Sequence, residues 1–154
     1  MSSPSLNDAR VVAMRLLAIR EHSTVELARK LGQKGIGEEE IAQLLPALTQ
    51  ENLLSDARFT ESFVHARQQR GSGPVKIRNE LQQHQISPEL IASYLEPQDP
   101  VWTEAAARVR EKKFGRALPE EFKEQVRQSR FLEYRGFSHE QIRAVLRDEE
   151  WAAS

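Results

Sequence analysis

The sequence has no cysteine, and only 6% of its residues are aromatic. The missing thiols exclude disulfide staples, thiolate metal sites and cysteine nucleophiles. The few aromatics, with few β-branched residues beside them, speak against a large β-sheet. No apolar run approaches the length of a membrane span, so no membrane partner is expected. Met1 to Ala9 lacks a basic segment followed by an apolar one, so the reading is a cytoplasmic chain without a secretory signal. Charge of one sign is not in excess either: 22 basic and 23 acidic residues leave a net charge of −1. Overall charge therefore does not announce a nucleic-acid binder.

What is present is helix. Leu, Ala, Glu, Arg and Gln dominate the 154 residues, and all favour helices. Val11, Val12, Met14, Leu16, Leu17 and Ile19 mark an apolar face on a first helix over about Asn7 to Arg20. Ser23 and Glu26 have the spacing of a capping box for a second helix carrying Leu27 and Leu31, which Gly35 stops. Glu38, Glu39 and Glu40 open a third, whose buried stripe is Ile41, Leu44, Leu45 and Leu48. Ser55-Asp56 opens a fourth helix with Phe59, Phe63, Val64 and Ala66 inward, broken by Gly71-Ser72-Gly73. Pro74 starts a fifth with Ile77 and Leu81, and Ser87-Pro88 starts a sixth with Ile91, Tyr94 and Leu95. Asp99-Pro100 begins a seventh, with Trp102, Ala105, Ala106, Val109 and Phe114 as packing residues. A longer helix runs from about Glu120 to Arg135, and Ser138 with Gln141 caps the last, which carries Ile142, Val145 and Leu146.

The pattern repeats. A shift of fifty residues places Leu27, Leu31, Ile36, Ile41 and Leu45 on Ile77, Leu81, Ile86, Ile91 and Leu95. A further shift of fifty-one places Leu81, Ile86, Ile91 and Leu95 on Leu132, Phe137, Ile142 and Leu146. A cap residue recurs at the same point: Gly37, Ser87 and Ser138. The expected fold is all-α: three tandem three-helix repeats, at 1–50, 51–97 and 98–154, forming an elongated, curved array rather than one compact bundle made by duplication. Such arrays suit long, shallow binding surfaces and are poor places to enclose a small substrate.

The search for catalysis finds no constellation. Gly71-Ser72-Gly73 lacks the lysine-containing phosphate-loop pattern and follows no strand. His22, His65, His84 and His139 show no metal-ligand spacing. The three consecutive glutamates 38–40 point in different directions on a helix, which fits dipole stabilisation better than cation binding. The reading is a non-enzyme with no cofactor and no metal. Asp148-Glu149-Glu150 reads as a solvated tail. Basic residues are the remaining lead, and residues 101–148 carry eleven against eight acidic ones. Lys112 and Lys113 end the seventh helix. The binding candidates are Arg58, Arg67, Arg70, Lys76 and Arg78, opposed nearby only by Glu80, then Arg127, Arg130 and Arg135 on the long helix. Taken singly, each reads as an ordinary structural surface charge before a functional one; together they offer contacts to phosphates or to acidic protein surface.

The stretch Leu53-Leu54-Ser55-Asp56-Ala57-Arg58-Phe59, with Arg67 through Pro74 and then Lys76-Ile77-Arg78-Asn79-Glu80-Leu81, closely resembles the central signature of the regulatory protein RecX family. Arg20-Glu21-His22-Ser23 with Glu26-Leu27 and Lys30-Leu31 resembles its N-terminal signature, and Arg130-Phe131-Leu132 with Arg135-Gly136-Phe137 its third. The likeness runs from about Leu16 to Leu146; His84-Gln85-Ile86 departs from the Lys-Gly-Ile turn common in that family. The resemblance implies three tandem three-helix repeats. It also implies a monomeric regulator that binds the RecA nucleoprotein filament and inhibits RecA ATPase, co-protease and strand-exchange activity. That function belongs to DNA repair, recombination and the SOS response. Single- or double-stranded DNA is a second expected partner, and a helical module binding DNA without RecA is the alternative reading.

Overall fold

The computed structural model describes residues 5–147. Among them are nine helices and no strand: α1 (Leu6–Ile19), α2 (Thr24–Gln33), α3 (Glu38–Gln50), α4 (Asp56–Gln69), α5 (Pro74–Gln83), α6 (Pro88–Tyr94), α7 (Pro100–Phe114), α8 (Phe122–Tyr134) and α9 (His139–Leu146). Asp148, Glu149 and Glu150, read as a solvated tail, lie outside the described residues. No helix among the described residues is long and apolar enough to cross a membrane.

The threefold pattern is visible atom by atom. Leu31, Leu81 and Leu132 are each fully buried near the end of a second helix. Four residues after each comes a residue of left-handed backbone: Gly35 with φ +88°, Gln85 with φ +58° and Gly136 with φ +99°. Ile36, Ile86 and Phe137 then turn back into the core. In the first and third copies the N–H of Ile36 donates to Leu31 O, and that of Phe137 to Leu132 O, both at 3.1 Å. This six-to-one bond satisfies a helix-end carbonyl and carries the chain directly into the next cap. Ser87 Oγ accepts from Leu90 N at 3.2 Å, and Ser138 and Gln141 close a reciprocal capping box. Gly37 caps through backbone geometry alone. At the family departure, Gln85 occupies the left-handed position without glycine's freedom.

The described residues divide into two compact units. One takes the chain up to Phe63 together with Gln82–Leu90; the other takes Val64–Leu81 and the chain from Ile91 on. In the first unit, α1 packs on α2 and α3 through Ala9 and Ala13, which are fully buried, beside Leu27, Leu31, Leu44 and Leu48. Of the apolar face read for α1, Val12, Leu16 and Leu17 do pack against this core, and three positions are corrected. Val11 and Met14 are exposed by 49% and 38%, and Ile19 by 81%, because close approach to α3 needs small side chains at the contact. Ala66 of α4 is likewise exposed rather than inward, whereas Phe59 and Val64 are buried. Tyr94 of α6 is among the exposed hydrophobic residues.

The expected capping box of α2 is only half formed. Ser23 Oγ accepts from Glu26 N at 3.0 Å, but the Glu26 carboxylate turns away to Arg20, at 2.6 and 3.0 Å. Two charge-assisted bonds outweigh one bond to a backbone N–H. Around them lies a buried polar cluster. His22 donates from Nδ1 to Arg20 O at 3.0 Å, and Lys30 Nζ donates to His22 Nε2 at 2.9 Å. Burial pushes the Glu26 carboxyl upward, but the Arg20 guanidinium, with His22 and Lys30 nearby, overrides it and holds the group down at about 2. Burial, with the positive charge of Arg20 and Lys30, holds His22 below its ordinary value.

In the second unit α7, α8 and α9 pack together around Trp102, Ala105, Ala106, Leu132, Ile142 and Val145. Arg110 is buried there with no carboxylate partner among the described residues. Its guanidinium donates to Gln128 Oε1 and to the carbonyls of Gly115, Arg116 and Ala117, at 2.8 to 3.4 Å. The cation thus satisfies the carbonyls that follow α7, where the helix dipole favours positive charge.

Candidate functional site

Two glycine turns of the second unit meet back to back. Gly73 N donates to Arg135 O at 2.7 Å, and Val75 N donates to Gly136 O at 2.9 Å. A Cβ on Gly73 would collide with the backbone of Gly136, and one on Gly136 with Lys76. Only glycine allows this approach, and Gly136 also needs its positive φ. The contact brings the end of α4 beside the end of α8, and Arg135 Nη2 donates to Arg70 O at 2.9 Å.

The sequence candidates separate into two groups. Arg58 donates from Nε to Glu21 Oε1 at 2.9 Å and from Nη1 to Asn52 Oδ1 at 3.0 Å, so it braces the loop ahead of α2. Arg67 donates to Glu80 Oε2 at 3.1 Å and ties α4 to α5. Arg127 donates to Glu124 at 2.9 and 3.0 Å and lies 5.1 Å from the Phe114 ring centre. These three are engaged within the chain. The others are Arg70, Lys76, Arg78, Arg130 and Arg135. Arg70, Arg78 and Arg130 are exposed, and none of the five forms an ion pair among the described residues. Lys76 Nζ lies 5.5 Å from the Tyr134 ring centre, and Tyr134 is 80% exposed.

Arg70 and Arg135 share one wall of a cleft whose other wall is α7. The α7 residues Arg108, Lys112 and Lys113 line it, and sequence reading did not place them with Arg70. Arg108 and Lys112 stand four apart on one helix face, which was the available signal. Phe131 stands between two cations, with Lys113 Nζ at 5.9 Å and the Arg135 guanidinium at 5.8 Å from its ring centre. Arg135 Nε is buried without an acceptor. Among the described residues no group of three or more His, Cys, Asp or Glu is arranged to hold a metal ion. What the region offers is a set of positive donors suited to an anionic partner.

Comparison with known proteins matches three successive segments. Residues 9–45 match the RecX first three-helix domain, 55–95 the second and 103–146 the third. The chain is 42% identical over 144 residues to the regulatory protein RecX of Halorhodospira halophila, covering 94% of this chain and 88% of that one. It is 44% identical over 137 residues to the regulatory protein RecX of Pseudomonas savastanoi pv. phaseolicola, covering 89% and 88%. The crystal structure of RecX from Lactobacillus salivarius superposes with a TM-score of 0.77 over 93% of this chain and 95% of that one; at 20% identity it shows the shared fold. A second crystal structure, of a regulatory protein RecX, gives a TM-score of 0.74 at 25% identity, over 90% and 73%.

Proposed function

The chain belongs to the RecX family of regulatory proteins, and from that premise we propose that it binds the RecA filament and restrains RecA. It acts by binding rather than by catalysis. A regulator of this kind needs differential affinity: contacts made with one state of the filament shift its assembly equilibrium towards that state. ATP hydrolysis, co-protease activity and strand exchange all depend on the assembled filament, so one binding event lowers all three. The observation that carries the reading is identity of 42% to a named regulator across 94% of the chain, with all three helical domains matched in order.

The exposed Arg70 and Arg78 are proposed contacts, together with Lys76, Arg130 and Arg135. Arg67, which ties α4 to α5, and Arg127, paired within α8, support the helices that carry this surface, whereas Arg58 braces the loop ahead of α2. The protein works as a monomer in the cytoplasm on this reading. The test is RecA ATPase on single-stranded DNA with increasing protein. The expected result is saturable inhibition, weakened at least about fivefold in an Arg70→Glu, Arg78→Glu variant of unchanged helical content. Full ATPase activity at excess protein would overturn the reading.

A further inference from the structure

A smaller groove, with a volume of about 310 Å³, lies between α8 and α9. Phe122 and Val126 line it from α8, and Ile142 and Leu146 from α9. Arg143 and Arg147 line it too, and among the described residues no Asp or Glu does. Phe122 stands at the first position of α8 with 79% of its surface in water. An exposed ring at the mouth of an apolar groove gains from any apolar group that covers both. Arg143 is exposed and forms no ion pair among the described residues.

The sequence supplies an occupant that matches both features. At Arg147, which lines the groove, φ of −111° and ψ of 77° take the chain off the helix line. Asp148-Glu149-Glu150-Trp151 follows directly. The three carboxylates complement the cationic rim. The indole of Trp151 suits the apolar walls, and such a side chain buries on the order of 150–250 Å². Four residues span at most about 14 Å, and α8 rises only about 6 Å from Phe122 to Val126. Both walls are therefore within reach of Trp151. A tether this short gives an effective concentration on the order of millimolar, an advantage that no second copy or separate partner shares. We propose that this segment folds back as a strap over the α8–α9 groove, with the Trp151 indole on Phe122 and Val126 and the acidic run against Arg143. The acids that read from the sequence as a solvated tail then form the charged half of a docking segment. Phe122 and Val126 also border Arg130, so the strap screens the apolar flank of that contact. The screening rests on the reading of Arg130 as a filament contact; the docking does not.

The test is acrylamide quenching of tryptophan fluorescence in the full chain. There are two tryptophans, and Trp102 is 3% exposed, so subtracting the signal of a Trp151→Phe variant isolates Trp151. Trp151 is expected to be quenched at least about threefold less than in a free peptide of residues 148–154, with its emission shifted to shorter wavelength. Phe122→Ser is expected to bring quenching to within about twofold of the peptide while helical content stays unchanged, because Phe122 is exposed. Arg143→Glu is expected to raise quenching by about twofold or less, since exposed ion pairs contribute little. Val11→Ser with Met14→Ser, on the exposed apolar face of α1, is the control and is expected to leave Trp151 protected. The proposal is overturned if Trp151 in the parent chain is quenched like the peptide, or if the α1 control releases it as Phe122→Ser does. Loss of protection on dilution would also overturn it, by making a second copy the occupant. RecA ATPase inhibition by a Trp151→Ser variant tests the screening separately. Half-inhibition is expected at a concentration about twofold or more lower than for the parent, because a covered groove reduces the competent fraction. An unchanged value removes the screening of Arg130, and a parent chain that does not inhibit at all overturns the proposed function while the strap stands on the fluorescence.

Discussion

The first and third helix triplets use the same apolar frame for opposite electrostatic ends. In α1–α3 the polar groups near the core are closed on one another: Glu26 on Arg20, Lys30 on His22, and His22 on the Arg20 carbonyl. In α7–α8 the buried Arg110 is satisfied by neutral oxygens alone, and the cations nearest the cleft have no carboxylate. The turns differ in the same sense. Gly35 has open space around it, whereas Gly136 is pressed against Lys76. The repeated leucines and caps specify the frame, and residues outside that repeat decide whether a triplet closes its charges on one another or leaves cations facing a cleft.

The turns allow the sharpest test of this contrast. Gly136→Ala meets both the penalty of positive φ and a collision with the Lys76 backbone, and is expected to cost about 3 kcal/mol. Gly35→Ala meets the conformational penalty alone, about 1 kcal/mol. Urea denaturation of both variants checks the difference; equal costs would show that the two turns are equivalent after all.

The sealed cluster predicts acid sensitivity of the first triplet. Glu26 is held at about 2 in the folded chain, below the ordinary value of 4.5. Its stabilisation is complete above that ordinary value and is lost as pH falls from there towards about 2. His22 is also lowered, so its neutral form is the one the fold favours, and it adds loss in the same direction once pH drops below 6.5. Glu26→Gln is expected to cost about 2 kcal/mol at neutral pH. Arg20 is 48% exposed and regains water, so the cost stays below the roughly 3–5 kcal/mol of breaking a fully buried pair. The variant should also flatten the pH dependence below 4.5, read by hydrogen exchange in α1–α3. An unchanged acid profile would remove Glu26 as its source.

The smallest effect is at the middle turn. Gln85 stands at φ +58°, where the corresponding residues are glycines, so Gln85→Gly is expected to stabilise the chain by about 0.5–1 kcal/mol. A loss of stability would mean that the Gln85 side chain contributes a contact worth more than its backbone strain.

Much of the frame was legible because it is local. Leu31, Leu81 and Leu132, the caps Ser23, Ser87, Asp99 and Ser138, and the proline starts at 74, 88 and 100 all act within a turn or two of their own position. The errors fell where a partner element decides. Ala9 and Ala13 took the most buried positions of α1, beside Val12, Leu16 and Leu17, while Val11, Met14 and Ile19 face out, and Glu26 left its own cap for Arg20. The candidate cations met the same limit. Nothing local in Arg58 or Arg67 says that Glu21 and Glu80 will occupy them, and Arg108 gives no local sign of Arg70; only the Glu124 partner of Arg127, three residues away on α8, was legible.

The linear order of residues by itself determined an all-helical chain with a threefold plan, since helix periodicity, caps and breakers depend on neighbours three or four positions away. Tertiary structure alone decided which charges are paired and which are left facing a cleft. Coulombic pairing depends on distance in space, and the turn at Gly73 and Gly136 brings together residues more than sixty positions apart in the chain.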